Sequence, residues 1–234
     1  MRYVSAVLFF FVAILSLAAF PHIYYPETVY PGDPLRIIAY DDNELESMVS
    51  RVKDSRGETV FRGEGFPFDI GDKTVWVTLL GIPCTLPEGE YTLIVDGVNN
   101  RYDFYIEKKL MVKNKEFIRE DIPLNKSMSE LRTTEDPRKA RESRELLTLL
   151  RSFNKDALYT DGNFIDPLPG ALVSSYFGDR RTYLYADGGM GSAIHFGIDL
   201  VKPTGTPIAS CAAGKVVMAK TRIISGETVV LEHA

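Results

Sequence analysis

The stretch that decides the fold of the first half of the chain is Gly89-Glu90-Tyr91-Thr92-Leu93-Ile94-Val95. Tyr91, Leu93 and Val95 stand at every second position, directly after the turn residue Gly89 and Glu90. Successive side chains of a β-strand point to opposite faces, so this spacing is typical of a strand that turns one face to a core. The stretch therefore predicts a β-sheet in this part of the chain.

Further apolar runs flank this stretch, and turn sequences such as Pro31-Gly32-Asp33 and Asp54-Ser55-Arg56-Gly57 separate them. Proline, glycine and aspartate favour turns, so short strands joined by tight turns are expected. The predicted strands are residues 35–40, 48–53, 59–62, 75–80, 91–95 and 102–106. This pattern predicts an immunoglobulin-like β-sandwich over residues 21–112. Trp76 is expected in its core, with stacking on a glycan as the alternative role.

The composition changes after this region, and residues 113–160 are predicted to form a linker followed by a helix. Asp136-Pro137 is a helix-start signal because proline is tolerated in the first helical turn, and an apolar stripe then runs to Phe153. From residue 161 onward, apolar runs separated by glycines predict a second all-β unit over residues 161–234. Its expected strands are residues 173–176, 197–201, 207–209, 214–219 and 228–231. The predicted fold class is all-β with a helical linker.

His195 and Asp199 are the residues of this second unit that suggest chemistry. They are separated by three residues in a strand-like context, and an extended backbone would place both side chains on one face. A neutral imidazole and a carboxylate are suitable zinc ligands, and catalytic zinc commonly takes three protein ligands and a water. The spacing alone is a weak signal, because a solvated or core histidine gives the same pattern.

Five motifs surround these two residues in a fixed order. They are Phe164-Ile165-Asp166-Pro167-Leu168-Pro169-Gly170, Val173-Ser174-Ser175-Tyr176-Phe177-Gly178-Asp179-Arg180-Arg181, His195-Phe196-Gly197-Ile198-Asp199-Leu200, Pro203-Thr204-Gly205-Thr206-Pro207-Ile208-Ala209 and Ala213-Gly214-Lys215-Val216-Val217. The series closely resembles the lysostaphin/LytM-type zinc metallopeptidases over residues 164–233. The resemblance implies that residues 161–234 form the first part of an antiparallel β-sheet peptidase domain, in which His195 and Asp199 are zinc ligands.

The resemblance also implies machinery that matches no position of this chain. The family carries a Tyr-x-His segment and a late His-x-His pair, which supply the third zinc ligand and two histidines near the reacting water and oxyanion. His233 matches a strand-end histidine that usually precedes the Tyr-x-His segment, so no catalytic role is carried onto it; a ligand role is the alternative. We therefore expect no catalytic residue of the family within these 234 residues, weak zinc binding and little hydrolysis of cell wall.

Three further residues are candidates for loop-structuring or substrate-contacting roles. Arg181 ends the Phe-Gly-x-Arg-Arg motif and is expected to structure the loop that enters the site, with substrate contact as the alternative. Tyr183 and Tyr185 lie where related enzymes can place a donor for the transition state. Residues 186–192 are expected to form a flexible loop, either facing the substrate or on the plain surface.

The function implied by the resemblance is a zinc metalloendopeptidase that cleaves the peptide cross-links of bacterial peptidoglycan, with the peptide stems as its partner. One alternative is a non-catalytic LytM-type regulator of cell-wall hydrolases. A second alternative is an exported binding or adhesion protein built of two β-sandwiches, which would show no zinc dependence.

The N-terminus predicts export to the periplasm or cell envelope. An uncharged apolar run follows Arg2 and ends before Pro21, so residues 1–20 are predicted to be a cleaved signal peptide. An uncleaved membrane anchor is the alternative, because 18 apolar residues as a helix span about 27 Å, close to the thickness of a bilayer core. In that case this segment would be the protein's only contact with the membrane.

The net charge of -5 argues against nucleic-acid binding. Cys84 and Cys211 are expected as two separate buried thiols, with a disulfide between them as the alternative.

Overall fold

The computed structural model describes residues 20–152, 154 and 163–233. The chain is mostly β and divides into two compact units, Met1–Lys115 and Glu116–Ala234. The predicted signal segment lies outside the described residues except for Phe20. Within the described ranges, no helix is both long and apolar enough to cross a bilayer.

Unit 1 consists of two sheets. Its strands are β1 (His22–Tyr24), β2 (Thr28–Val29), β3 (Pro34–Tyr40), β4 (Leu45–Lys53), β5 (Thr59–Glu64), β6 (Phe66–Ile70), β7 (Lys73–Gly81), β8 (Gly89–Asn99) and β9 (Asp103–Val112). One sheet has the order β1-β3-β7-β6 and the other has the order β2-β9-β8-β4-β5. Every pairing is antiparallel except β2 with β9, which is parallel.

Alternating residues of the two sheets form one core between them. Leu35 and Ile37 of β3 are fully buried, and so are Leu93 and Val95 of β8, as the alternation in residues 91–95 predicted. A hydrogen bond of 3.1 Å from the Ser50 hydroxyl of β4 to the Thr78 hydroxyl of β7 joins the sheets inside this core. Trp76 is partly buried and packs against the core, as expected.

All six strands predicted for unit 1 are present, most of them longer than expected. Three strands were not predicted, namely β1, β2 and β6. β1 and β2 have only three and two residues and are too short to show a pattern. β6 has Phe66, Phe68 and Ile70 at every second position, but all five of its residues are exposed. Cys84 is buried in this unit, whereas Cys211 of unit 2 is half-buried.

Unit 2 consists of short strands and two helices. They are β10 (Arg119–Pro123), α1 (Lys126–Thr133), α2 (Pro137–Leu150), β11 (Leu172–Ser175), β12 (Arg180–Leu184), β13 (Met190–Ile194), β14 (Asp199–Val201), β15 (Lys215–Arg222) and β16 (Gly226–Glu232). The sheets are β10-β12-β13, β11-β14 and β15-β16. β10 lies in the segment that was expected to be linker and helix, and it pairs in parallel with β12.

The predicted helix start is confirmed in α2. The Asp136 side chain accepts a hydrogen bond from the Arg138 backbone N–H, and Pro137 occupies the first helical turn. Hydrogen bonds from the side chain and then the backbone N–H of Arg138 lower the pKa of Asp136 to about 2. The helix ends at Leu150 rather than near Phe153, and α1 was not predicted.

The strand predictions for unit 2 are partly wrong. Strands are present near residues 173–176, 214–219 and 228–231, but residues 207–209 are not a strand, and only Asp199–Val201 of residues 197–201 is one. The Pro207 ring removes a backbone donor, which disfavours a paired strand there. β12 and β13 form a hairpin that the sequence pattern did not reveal.

Candidate metal site

The site of unit 2 is built around a tight turn that joins β11 to β12. The backbone N–H of Asp179 donates to the carbonyl of Tyr176 at 3.3 Å, and the backbone N–H of Tyr176 donates to Oδ2 of Asp179 at 2.8 Å. Gly178 has a φ of +91°, which glycine adopts without strain. A Cβ at this position would also meet the ring of Phe117. Gly178 and Asp179 therefore stabilise this turn.

Two backbone hydrogen bonds hold His195 against this turn. Its N–H donates to the carbonyl of Asp179 at 2.9 Å, and its carbonyl accepts from the N–H of Gly178 at 2.7 Å. On the ring, Nδ1 lies 3.1 Å from the Ser175 hydroxyl oxygen and 3.1 Å from the carbonyl oxygen of Tyr176. Only 12% of the His195 side chain is exposed.

His195 and Asp199 meet, but not through the extended backbone that the sequence suggested. Residues four apart in a strand have Cα atoms about 13 Å apart, which is too far for two ligands of one ion. Instead, His195 follows the end of β13, the chain bends at Gly197, and Asp199 begins β14. The bend brings Nε2 of His195 to 3.1 Å from Oδ1 of Asp199.

Arg181 of β12 holds the other oxygen of Asp199. Its Nη2 donates to Oδ2 at 2.6 Å, and 16% of the Arg181 side chain is exposed, against 48% for Asp199. Burial lowers the pKa of Arg181, but hydrogen bonds to Asp199 and Tyr183 outweigh it, so the pKa is raised above its ordinary value. Arg181 therefore stays cationic and orients the carboxylate, whose Oδ1 faces His195.

Tyr183 contacts the site through its hydrogen bond with Arg181, whereas Tyr185 lies in the β12–β13 turn. Tyr183 is buried, and the guanidinium carbon of Arg132 lies 3.8 Å from its ring centre. The backbone N–H of Tyr185 closes the β12–β13 turn by donating to the carbonyl of Gly189 at 2.8 Å. Residues 186–192 are thus a hairpin turn and the start of β13, not a loop throughout, because this turn brings Met190 into register with Leu184.

His233 lies at the end of β16, and its Nδ1 is 2.8 Å from the carbonyl oxygen of Ala213. Its ring packs edge-on against Phe164, with centroids 5.2 Å apart. Among the residues that the structure describes, no group of three or more histidine, cysteine, aspartate or glutamate side chains could share a metal ion. The candidate metal ligands that the described residues bring together are His195 and Asp199.

The donor set of this pair fits zinc. Two ligand atoms at about 2.1 Å from a tetrahedral zinc ion are about 3.4 Å apart, which is close to the 3.1 Å between Nε2 and Oδ1. The half-exposed carboxylate also leaves the pair accessible to solvent. An imidazole nitrogen and a carboxylate oxygen are ordinary zinc ligands.

Sequence reasoning missed two members of this site, Ser175 and Asp179. Both belong to the motif around residues 173–181, but their side chains carried no assigned role. A serine directly before the turn and an aspartate directly after its glycine are the only signal available in the sequence, and many surface turns share it. Their significance is visible only because the turn lies behind His195.

No family model and no curated protein matches the chain. Among solved structures, the endo-β-1,4-mannanase from Thermotoga petrophila is similar to 42% of this chain at 15% identity, with a TM-score of 0.31. A family 123 glycoside hydrolase from Clostridium perfringens is similar to 71% of it at 9% identity, with a TM-score of 0.25. The chain spans 21% and 38% of those proteins. Likeness at such low TM-scores carries no argument about fold or function.

Proposed function

We propose that this chain carries the His195–Asp199 part of the zinc site of an exported metalloendopeptidase. The observation that carries the proposal is the 3.1 Å approach of Nε2 of His195 to Oδ1 of Asp199. An acceptor nitrogen and a carboxylate oxygen repel each other unless a proton or a cation lies between them. A metal ion would relieve that repulsion at the point where the chain brings both ligand atoms together.

The surrounding residues are suited to this role. Arg181 binds the second oxygen of Asp199, so the first oxygen is presented to the ion. Ligands oriented by outer hydrogen bonds are usual in metal sites. When bound, zinc lowers the pKa of its bound water and polarises the scissile carbonyl. His195 and Asp199 would hold the ion, and Arg181 would hold Asp199.

The substrate proposed for this chemistry is the peptide cross-link of peptidoglycan. It rests on the resemblance of residues 164–233 to LytM-type peptidases and on the export signal predicted in residues 1–20. Within the same proposal, unit 2 is the first part of a LytM-type domain, and unit 1 is an immunoglobulin-like module that positions or inhibits it. The two packed sheets of unit 1 support that description.

A zinc titration of the purified chain tests the metal site. The chain has three histidines, so ¹⁵N signals of the imidazole rings report each one separately. Zinc should shift the ring signals of His195 and leave those of His22 unchanged. His195→Ala and Asp199→Ala should abolish binding, whereas His22→Ala, the matched control in unit 1, should not. Equal shifts of His22 and His195, or binding that survives His195→Ala, would contradict the proposal.

A second measurement tests the reaction class. Purified peptidoglycan incubated with the zinc-loaded chain should release few new amino termini, because we expect the family's late histidines to be needed for turnover. Rapid peptide release by this chain would disprove that expectation. New reducing ends without new amino termini would instead reveal glycosidic cleavage and disprove the peptidase proposal. Stimulation of a separate wall hydrolase by zinc-free protein would favour the regulator.

A further inference from the structure

Two buried polar side chains, Ser175 and Asp179, lie directly behind His195. Only 4% of Ser175 and 5% of Asp179 is exposed. Removing a carboxylate from water is costly unless hydrogen bonds replace its hydration. Oδ2 of Asp179 accepts two such bonds, from the Tyr176 backbone N–H at 2.8 Å and from the Ser175 hydroxyl at 3.2 Å. The carboxylate is therefore built into the turn rather than displayed to solvent.

These bonds determine which way the Ser175 hydroxyl points. Its single hydrogen is donated to Asp179, so a lone pair of its oxygen faces Nδ1 of His195 at 3.1 Å. The carbonyl oxygen of Tyr176, also 3.1 Å from Nδ1, can only accept. Both neighbours of Nδ1 are thus acceptors, and both favour a proton on Nδ1. The Asp199 carboxylate beside Nε2 favours the opposite tautomer, but it is half-exposed and its charge is compensated by Arg181.

We propose that Ser175 and Asp179 are positioning residues that hold His195 as its Nδ1–H tautomer and direct the lone pair of Nε2 at Asp199. The position of a histidine proton is set by the hydrogen bond that the other ring nitrogen makes. Here Asp179 orients the Ser175 hydroxyl, and Ser175 with the Tyr176 carbonyl orients the ring. The consequence for metal binding rests on the proposed function, whereas the tautomer does not.

Asp179 acts on the ring and on the backbone at the same time. Its carbonyl accepts from the His195 N–H, and the preceding turn residue, Gly178, donates to the His195 carbonyl. Because Oδ2 serves only as an acceptor in these contacts, its charge is not the required property. An asparagine oxygen could accept the same two hydrogen bonds, so Asp179→Asn should preserve the arrangement and Asp179→Ala should not.

The tautomer can be measured in the metal-free chain with ¹⁵N-labelled histidine. Two-bond and three-bond couplings at about pH 9, above the ordinary pKa range of histidine, show which ring nitrogen holds the proton. We expect Nδ1–H at His195 in the wild type and in Asp179→Asn. Asp179→Ala and Ser175→Ala should give a mixture that contains Nε2–H. Ser192→Ala, an exposed serine of β13, is the matched control and should leave the ring unchanged.

The same variants test the consequence for the metal. Loss of an outer-shell partner typically weakens metal binding by 10–100-fold, so Ser175→Ala and Asp179→Ala should raise the zinc dissociation constant by about that factor. Asp179→Asn should restore most of the affinity, and Ser192→Ala should match the wild type. Backbone amide spectra of the β12–β13 hairpin establish that each variant remains folded.

The outcomes separate this inference from the proposed function. An Nε2–H proton on wild-type His195, or an unchanged tautomer in both alanine variants, overturns the inference even if zinc binds. Should Asp179→Ala fail to fold, the wild-type tautomer and Ser175→Ala still decide it. Absence of zinc binding with an Nδ1–H ring overturns the proposed function and leaves the tautomer inference supported.

Discussion

Unit 1 and unit 2 bury their apolar side chains to very different extents. Unit 1 has a continuous core of strand residues contributed by both sheets, including Leu35, Leu93 and Leu110, each with no exposed surface. Among the described residues of unit 2, the buried apolar side chains are Leu168, Tyr183 and Met218. Many others there are exposed, among them Leu172, Met190, Phe196, Ile208 and Val229.

The contrast shows two ways of holding residues in place. Burial of apolar area stabilises unit 1 in bulk, at roughly 25 cal/mol for each Å² removed from water. The site of unit 2 is instead held by a local polar network, in which Asp179, Ser175 and Arg181 fasten His195 and Asp199. Substitutions of surface residues leave an apolar core intact. Loss of one hydrogen-bonding partner in a polar network, in contrast, leaves another polar group unsatisfied and disrupts the network.

The largest effect should come from a cavity in the core of unit 1. Leu93→Ala removes a fully buried side chain, and such changes cost about 2–5 kcal/mol in the free energy of unfolding. Denaturant unfolding followed by the fluorescence of Trp76, the single tryptophan, measures this loss within unit 1. The matched control is Leu172→Ala in unit 2, where the side chain is 75% exposed and the change should be within about 0.5 kcal/mol.

An equal loss in the free energy of unfolding in Leu93→Ala and Leu172→Ala would contradict the difference in apolar burial between unit 1 and unit 2. It would mean that the exposed leucine of β11 is covered in solution by something that the described residues do not include. Amide signals of β11 and β14 follow unit 2 in the same titrations, since Trp76 reports on unit 1.

An intermediate effect is expected from a polar cluster in unit 1 that resembles the site in its construction. Oδ1 of Asp41 accepts hydrogen bonds from the backbone and side-chain N–H groups of Asn43, and Oδ2 accepts from Asn99 and the Tyr102 hydroxyl. Asp41→Ala should cost about 1–3 kcal/mol, since hydrogen bonds to a charged group are lost and Asn99 is left buried. Asp42→Ala, at an exposed neighbour, is the control.

The Asp41 cluster should also respond to acid. Burial raises the pKa of Asp41, but the hydrogen bonds from Asn43, Asn99 and Tyr102 outweigh it, and the pKa lies below its ordinary value of 3.8. A lowered folded-state pKa stabilises the protein above 3.8, and this contribution is lost as the pH falls through the folded pKa. The difference between wild type and Asp41→Ala should therefore shrink below that range. A difference that grows in acid would contradict the assignment.

The smallest effect on stability, with a clear effect on solubility, is expected at β16. Its only partner within the described residues is β15, and Val229 is 64% exposed. An exposed apolar strand edge promotes association between chains, and a lysine at such an edge opposes it. Val229→Lys should change the free energy of unfolding by less than about 0.5 kcal/mol while reducing light scattering on concentration. Unchanged scattering would indicate that this edge is covered.

Prediction from sequence worked best where burial is regular. The alternation of β3 and β4 follows from one core face and one outer face. β8 has Tyr91, Leu93 and Val95 on its core face although Ile94 is buried as well, and all three strands were identified. β12 and β13 bury Tyr183 alone, so their sequences lack that signal. β6 carries the alternation in Phe66, Phe68 and Ile70 without burying any residue, and it was missed. For the site, the sequence indicated His195, Asp199 and Arg181. It did not indicate Ser175 or Asp179, because a sequence does not show which way the side chain of a turn serine or a turn aspartate points.

The sequence by itself determined that unit 1 is a sheet protein with Leu93 and Val95 inside, because the two-residue period of a strand is local. It also indicated His195 and Asp199 as candidate ligands. Only the tertiary structure decided that these residues meet, since a bend at Gly197 replaces an extended strand that would hold them about 13 Å apart. The folded turn likewise decided which nitrogen of His195 faces Asp199, because that depends on acceptors brought in from Ser175 and Tyr176, about twenty residues earlier in the chain.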